Sequence, residues 1–598
     1  MDHRDLTGLI ERVKRGRLSR RGFIRQLAAV GLSAPLANQI LALSGVAMAQ
    51  PSPSYAYKPT KAGGGGTLKL LWWQGPTLLN PHFAVGTKDQ DGSRLFYEPL
   101  AAWDSQANLQ PILAAELPTL ENGGLAGDGK SVVWKLKQGV KWHDGKPFTA
   151  DDVVFNWAYA RDPATAAVTA GSYNTITAEK LDDHTVRLTS ETPRPFWAEA
   201  FVSATGMIIP KHLFENYTGA KSREAPTNLA PVGTGPYLFK EFRPGDIVSG
   251  VINPNYHKPN RPYFDAVEMK GGGDAASAAR AVLQTGEYDF AWNMQVEDDV
   301  LTKLEASGKG HVRVTDGGSL EQIFLNFTDP NVEVDGERSS LKTKHPSLSD
   351  PAVRQALSLL IDKDSVHKYI YGRAGAAVTN VVYNPPRYNS PNTKWEFNIE
   401  KANAILDKAG WKPGPDGIRA KDGKTLSYLY QTSTNQPRQK TQQIVKQACK
   451  KAGINLEIKS VVSSVFFSSD VANPDTYPHF YADLEMYTTG PNQPDPSIWL
   501  QLFLGSEAAQ KDNKWQGRNI TRWQNDEFDR IYHQQESELD PVKRTALLIK
   551  LNDLVINNFV SIPVVTRPNV AAVKDGMVCE LSGFDSYIWD LADWYMTT

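Results

Sequence analysis

Cysteine is almost missing from this chain. Cys449 and Cys579 are the two in 598 residues, too few for a disulfide scaffold or a thiolate metal site. In an oxidising compartment they could pair, but the simpler reading is two buried free thiols. Also missing are HExxH, GxSxG and GxGxxG, which removes the best-marked zinc hydrolases, serine hydrolases and dinucleotide-binding enzymes. No stretch of roughly 20 predominantly apolar residues stands ready to span a bilayer. Residues 27–46 come nearest, and Ser33, Pro35, Asn38, Gln39 and Ser44 interrupt them. No period of about 20–50 residues recurs, which excludes a repeat array. Charge of one sign is lacking too: 65 Lys and Arg stand against 66 Asp and Glu.

The N-terminus is where charge is lopsided. Ser19-Arg20-Arg21-Gly22-Phe23-Ile24-Arg25 resembles the twin-arginine export signature, behind a basic region holding Arg12, Lys14, Arg15 and Arg17. Ala47-Met48-Ala49 supplies a small-x-small cleavage site, so the mature chain is expected to start near Gln50. The alternative is a basic amphipathic helix that stays attached. With no cysteine at the cleavage site, a bacterial lipid anchor is not expected. The reading is a signal peptide over 1–49, passage through the twin-arginine translocase, and release into the periplasm. Residues 1–49 hold eight Lys/Arg and three Asp/Glu, so the remainder carries 57 basic and 63 acidic residues, a net −6. That balance gives no sign of nucleic-acid binding.

About 549 residues after cleavage exceed one hydrophobic core, so two or three domains are expected. Residues 50–66 read as a flexible tether, and their four closing glycines lack the Lys-Ser/Thr of a phosphate loop. Gly417 and Gly423-Lys424-Thr425 enclose five residues where a P-loop needs four, ahead of a strand rather than after one. A hairpin-type turn is expected there. Residues 67–73 and 131–136 are rich in β-prone apolar side chains. Thr149-Ala150-Asp151-Asp152 starts a capped helix. Asp350-Pro351 starts another, with Val353, Ala356, Leu357, Leu360 and Ile361 on one face. Asn398 opens a third that Gly410 stops, and residues 439–452 form a helix feeding a strand at 455–460. The class is mixed α/β.

Catalytic groupings are harder to find. His143-Asp144-Gly145 invites a metal or acid–base reading, but Asp-Gly is turn chemistry and a structural turn is the simpler account. No metal site and no cofactor are expected, and a secreted hydrolase is kept only as the reading from another class.

An ordered series of short motifs runs through the chain. Leu95-Phe96-Tyr97-Glu98-Pro99-Leu100 comes first, then the long run from Leu136 through Trp142-His143-Asp144-Gly145 to Val153. Val232-Gly233-Thr234-Gly235-Pro236-Tyr237 and Asn253-Pro254-Asn255-Tyr256 follow. After them stand Gly286-Glu287-Tyr288-Asp289, Phe324-Leu325-Asn326-Phe327, the run from Asp350 to Asp362, Leu406-Asp407-Lys408-Ala409-Gly410-Trp411, and Asp495-Pro496. In this order they resemble the bacterial extracellular solute-binding proteins of family 5, the large peptide, nickel and opine receptors of ABC importers.

That resemblance implies a bilobal, type II-like binding protein of the large three-domain kind (cluster C-like). Domain I would comprise 66–90, 205–318 and 565–598, with domain II inserted at 91–204 and domain III at 319–564. Crossovers near 318 and 565 would form a hinge closing over the ligand. The implied partners are a small ligand and the permease subunits of an inner-membrane ABC transporter. The ligand is read as peptide-like first, with an oligosaccharide or an opine as the alternative.

Receptors of this family hold an extended ligand against a strand segment from each lobe. The matching segments here are 79–83, with Asn80, His82 and Phe83, and 487–490, with Tyr487, Thr488, Thr489 and Gly490. Trp72, Trp73 and Trp499 lie near them in sequence and Trp589 is a further aromatic candidate, although core packing is the simpler role for any single tryptophan. The family's ammonium-binding aspartate, three residues before the Asp-Pro step, is Asn492 here. An amide does not neutralise an ammonium. Either another acid such as Asp483 or Glu485 takes over, or the ligand lacks a free ammonium there. Asp495 itself reads as a helix cap with proline behind it.

Overall fold

The computed structural model describes residues 56–84, 86–468, 472–491 and 493–597, with four isolated positions before residue 27. The twin-arginine pair, the cleavage site, residues 50–55 and Asn492 lie outside the described residues.

The chain builds two bodies, each on its own sheet. The first sheet has seven strands in the order Gly310–Thr315, Asn569–Lys574, Phe290–Ala291, Thr67–Trp72, Ala266–Gly271, Ile247–Ile252 and Tyr237–Arg243. Thr67–Trp72 is parallel to both its neighbours, with Leu70 opposite Met269 on one side and Phe290 on the other. Such a strand is buried on both faces. Leu68, Leu70 and Trp72 pack into one core and Leu71 into the opposite one. The second sheet has five strands: Asn455–Val461, Ser427–Ser433, Leu484–Thr489, Leu320–Leu325 and Ser561–Thr566. A three-stranded sheet, Ser131–Lys135, Thr185–Thr189 and Thr177–Asp182, lies in the segment between Thr67–Trp72 and Tyr237–Arg243 of the seven-stranded sheet. It shares one continuous apolar core with that sheet, through Trp134, Val186, Leu188, Phe201 and Ile209.

Local signals fix the helices. Thr149 and Asp152 form a reciprocal capping box on Ala150–Arg161. The Asp350 carboxylate accepts from Ala352 N at the start of Pro351–Leu359, and Asn398 caps Ile399–Lys408. The helix expected from residue 439 begins earlier, as Gln436–Lys451, because Asn435 caps it and Pro437 is tolerated in a first turn. Cys449 and Cys579 are buried and unbonded.

Two short links join the bodies, residues 316–319 between Thr315 and Leu320, and residues 567–568 between Thr566 and Asn569. The Arg567 N–H donates to the Ser319 carbonyl at 2.8 Å, so the links run side by side. Glycine permits the close packing around them. A Cβ on Gly583 would lie 1.9 Å from the Asp316 carbonyl, and one on Gly490 would lie 2.4 Å from the Gly318 carbonyl.

Candidate functional site

Parallel strands that end on one edge leave a cleft beyond their C-terminal ends. In the first body that edge leads into Trp73 and Trp292; in the second, into Thr434 and Gly490. The two edges face each other. Asn435 Nδ2 donates to Gln295 Oε1 at 2.6 Å, and Lys440 Nζ reaches Glu297 Oε2 at 2.7 Å.

On the second body, Leu484–Thr489 is laddered along its whole length to Leu320–Leu325, with Glu321 opposite Thr488. Its other neighbour, Ser427–Ser433, pairs only as far as Thr432 opposite Met486. Among the described residues no strand pairs with that edge of Tyr487, Thr488 and Thr489. Tyr487 is buried against Phe324 and Tyr477, both with ring centroids at 5.0 Å, while Thr488, Thr489 and Gly490 are half-buried. Beneath Thr488 lies a buried ionic cluster. Arg438 Nε donates to both Glu321 oxygens at 3.0 and 3.1 Å, and the Thr488 hydroxyl donates to Glu321 at 2.6 Å. The remaining Arg438 nitrogens donate to Ser433 at 2.6 Å and Thr488 at 2.7 Å.

On the first body, Trp73 is half-buried, its Nε1 donating to the Asn293 carbonyl at 3.0 Å. Its ring leans on Trp292 at 5.6 Å, and Trp292 stacks on Trp72 at 6.1 Å and 9°. Trp72 is wholly buried and donates to Asp91 at 3.0 Å. The segment at 79–83 is a turn rather than a strand. Pro81 supplies no N–H, and Asn80 caps the 3-10 turn Pro81–Phe83. Asn80, His82 and Phe83 are buried. Asn80 donates to Asn228, and His82 bonds Thr169 at 2.7 Å and Asn156 at 2.9 Å, while the Arg223 guanidinium covers the Phe83 ring at 3.7 Å. Burial pushes the His82 pKa down to about 4, so its imidazole is neutral. Trp499 is buried and donates to the Val381 carbonyl at 3.1 Å. Trp589 lines a small hollow with Arg94, Glu98, Tyr256 and Lys258.

The alternative acids are both engaged. Asp483 accepts from His345 at 2.8 Å and from Leu429 N at 2.6 Å. Glu485 is wholly buried, and desolvation holds its carboxyl well above the usual carboxylate range. Asp495 bonds Ser497 N at 3.0 Å and pairs with Arg544, also at 3.0 Å. The helix starts one residue later than the sequence pattern predicts, at Ser497, with Pro496 in the cap position. His143 bonds the Gly235 carbonyl and Asp144 pairs with His212, while Gly145 turns the chain at φ 88°. Among the described residues no group of three or more His, Cys, Asp or Glu is arranged to hold a metal. Nor does any described helix have the length and apolarity to cross a membrane.

The pattern of the sequence did not point to Glu321, Arg438, Trp292 or Arg567. Glu321 and Arg438 stand 117 residues apart, and only the sheet topology brings them together.

Over residues 108–511 the sequence matches the model of a family described as bacterial extracellular solute-binding proteins, family 5 Middle. It is similar to the oligopeptide-binding protein AppA of Bacillus subtilis, 30% identical over 394 residues, 64% of this chain and 67% of that protein. It is also similar to the glutathione-binding protein GsiB of Escherichia coli, 27% identical over 391 residues, 64% and 67% of the two chains. Among solved structures, AppA from Bacillus subtilis in complex with a nonapeptide superposes with a TM-score of 0.74 at 24% identity, over 90% of this chain and all of that one. NikZ from Campylobacter jejuni in complex with Ni(L-His) does so at 0.73 and 21% identity, over 88% and 99%. The fold is that of a bilobal, type II-like α/β binding protein.

Proposed function

Because this chain belongs to the bacterial extracellular solute-binding proteins of family 5, we propose that it captures a peptide-like ligand between its two lobes and delivers it to the permease of an ABC importer. The observation that carries this reading is the unpaired edge of Tyr487–Thr489. An extended peptide backbone can add there as a further strand, supplying main-chain hydrogen bonds whatever its side chains are. The relatives named for binding an oligopeptide and glutathione support the same ligand class.

In this proposal Thr488, Thr489 and Gly490 meet the ligand backbone, with Tyr487 behind them, and Asn492, which lies outside the described residues, is a further ligand contact. Trp73 forms the opposing wall. Trp72, Asn80, His82, Phe83, Trp499 and Trp589 shape the cleft from behind. Domain I comprises 66–90, 205–318 and the chain after the second link, with domain II at 91–204 and domain III from 319 to Thr566, two residues beyond the expected 564 because Val565 and Thr566 belong to the second sheet. The links at 316–319 and 567–568 act as the hinge. A ligand touching both lobes binds the closed form better, and that difference drives closure.

Purification from the periplasm followed by native mass spectrometry tests the reading. A copurified peptide, and defined peptides that raise the melting temperature with the logarithm of their concentration, are the expected results. Peptides recovered as cleavage products would replace the receptor by a hydrolase. Export by the twin-arginine route belongs to the same proposal: replacing Arg20 and Arg21 by Lys should hold the precursor in the cytoplasm. Normal appearance of that variant outside the inner membrane would refute the route.

A further inference from the structure

We infer that Arg567 receives a carboxylate of the bound ligand, at the point where the two lobes are joined. The inference rests on the peptide reading above and narrows it to peptides with a free C-terminal carboxylate.

Arg567 occupies the two-residue link between Ser561–Thr566 of the second sheet and Asn569–Lys574 of the first. Its backbone N–H and the Tyr383 hydroxyl both donate to the Ser319 carbonyl of the companion link, at 2.8 and 3.0 Å. The side chain is 6% exposed. Its guanidinium lies 5.0 Å from the Tyr371 ring centroid, and its charge is felt by the hydroxyls of Tyr383 and Tyr587.

The buried charges do not balance. Glu321 is the carboxylate of the cluster, and Arg438 already spans both its oxygens while Thr488 donates to one of them. Arg567 Nε stands 3.7 Å from Glu321 Oε1, too far for a hydrogen bond, and finds no hydrogen-bond partner among the described residues. Two guanidiniums therefore share one carboxylate, and the second is left undercompensated where an unpaired charge is costly. The guanidinium fork matches a planar carboxylate. A surplus of one positive charge suits a singly charged carboxylate better than a dianionic phosphate. Thr488 connects the two features, since it belongs both to the unpaired strand edge and to the ionic cluster. A peptide laid along that edge has Arg567 within its reach, and its terminal carboxylate would tie the link to both lobes.

The test uses a pool of synthetic tri- to hexapeptides with free C-terminal carboxylates and the same pool amidated. Occupancy by native mass spectrometry and melting temperature are read in the wild-type protein, in Arg567→Gln and in Arg567→Lys. The wild type is expected to bind free acids about tenfold or more tighter than amides, the scale of a charge-assisted pair. In Arg567→Gln the preference should fall below about threefold, with Arg567→Lys between, because Lys keeps the charge and loses the fork. Equal binding of both pools by the wild type would overturn the inference and leave the peptide reading standing. So would an undiminished preference in folded Arg567→Gln. Binding of neither pool would overturn the peptide reading and this inference with it.

Discussion

Glu485 is a buried acid with one oxygen accepting from Gln431 and the other without a hydrogen-bond partner among the described residues. Its pKa stands above that of the unfolded chain, so between the two values the folded state holds the extra proton. Stability therefore falls as pH rises through that window, by at most about 1.4 kcal/mol per pH unit. Glu485→Gln keeps the shape without the ionisation. It should melt higher than wild type at pH 8, with the difference shrinking towards pH 4; equal melting at both pH values would show the carboxyl ionises freely. His82 works in the opposite direction. With its pKa lowered from 6.5 to about 4, its contribution is full above pH 6.5 and is lost as pH falls towards 4. Because burial disfavours the Glu485 carboxylate and Asp483 is tied to His345 and Leu429, neither offers a free carboxylate to a ligand ammonium. Free and N-acetylated peptides should accordingly bind within about threefold of each other, since no buried charge pair is at stake. A preference of about tenfold or more for the free amine would mean that another acid meets the N-terminus.

At the scale of elements, the packing of the two links is the most demanding feature. Gly490 and Gly583 both press on the segment 316–319, backbone against backbone. Gly583→Ala should cost about 1–3 kcal/mol by overpacking, which in a chain of this length lowers the melting temperature by only about 1–3 °C. An unfolding midpoint in urea equal to that of wild type would show that the link yields freely. Glycine needs of this kind leave no trace in periodicity, whereas caps do. Thr149 with Asp152, Asp350 before Pro351, and Asn398 were legible because each cap and its helix lie within a few residues. The strands at 67–72 and 455–461 were legible from their β-prone run and from the helix-to-strand unit. The start of Gln436–Lys451 was missed because Pro437 looks like a boundary while standing in the tolerated first turn. The cluster of Glu321, Arg438 and Arg567 was not legible, since three sheet connections of long range assemble it. The segment at 79–83 resembled an extended ligand-binding stretch, yet Pro81 and the Asn80 cap wind it into a turn.

At the scale of the molecule, closure is set by what the lobes gain when they meet. The contacts between the facing edges include Asn435 with Gln295 and Lys440 with Glu297, and Lys440 is half-exposed. The Lys440–Glu297 pair contributes only about 0.2–1 kcal/mol and is weakened by salt, and the neutral Asn435–Gln295 hydrogen bond adds a net contribution of about 0.5–1.5 kcal/mol that salt does not screen. They bias the lobes towards closure without locking them, which leaves the decision to a ligand that touches both sides. Removing both through Gln295→Ala with Glu297→Ala takes away roughly 1 kcal/mol, about a fivefold shift in the closed-to-open ratio. Neither substitution removes a side-chain cap, because the Glu297 side chain makes no cap hydrogen bond to the helix Asp298–Glu305. The ligand-free double variant should show a larger radius of gyration in solution scattering than wild type, most clearly at low salt. Saturating peptide should return both to the same compact form. The variant should need several-fold more peptide to get there, because only the closed fraction binds fully. Scattering curves that stay the same with and without a confirmed ligand would refute hinge closure while leaving binding intact. An unchanged variant that still closes on ligand would place the bias elsewhere, in the pairs of Arg373 with Asp298 and Glu305 beside the links.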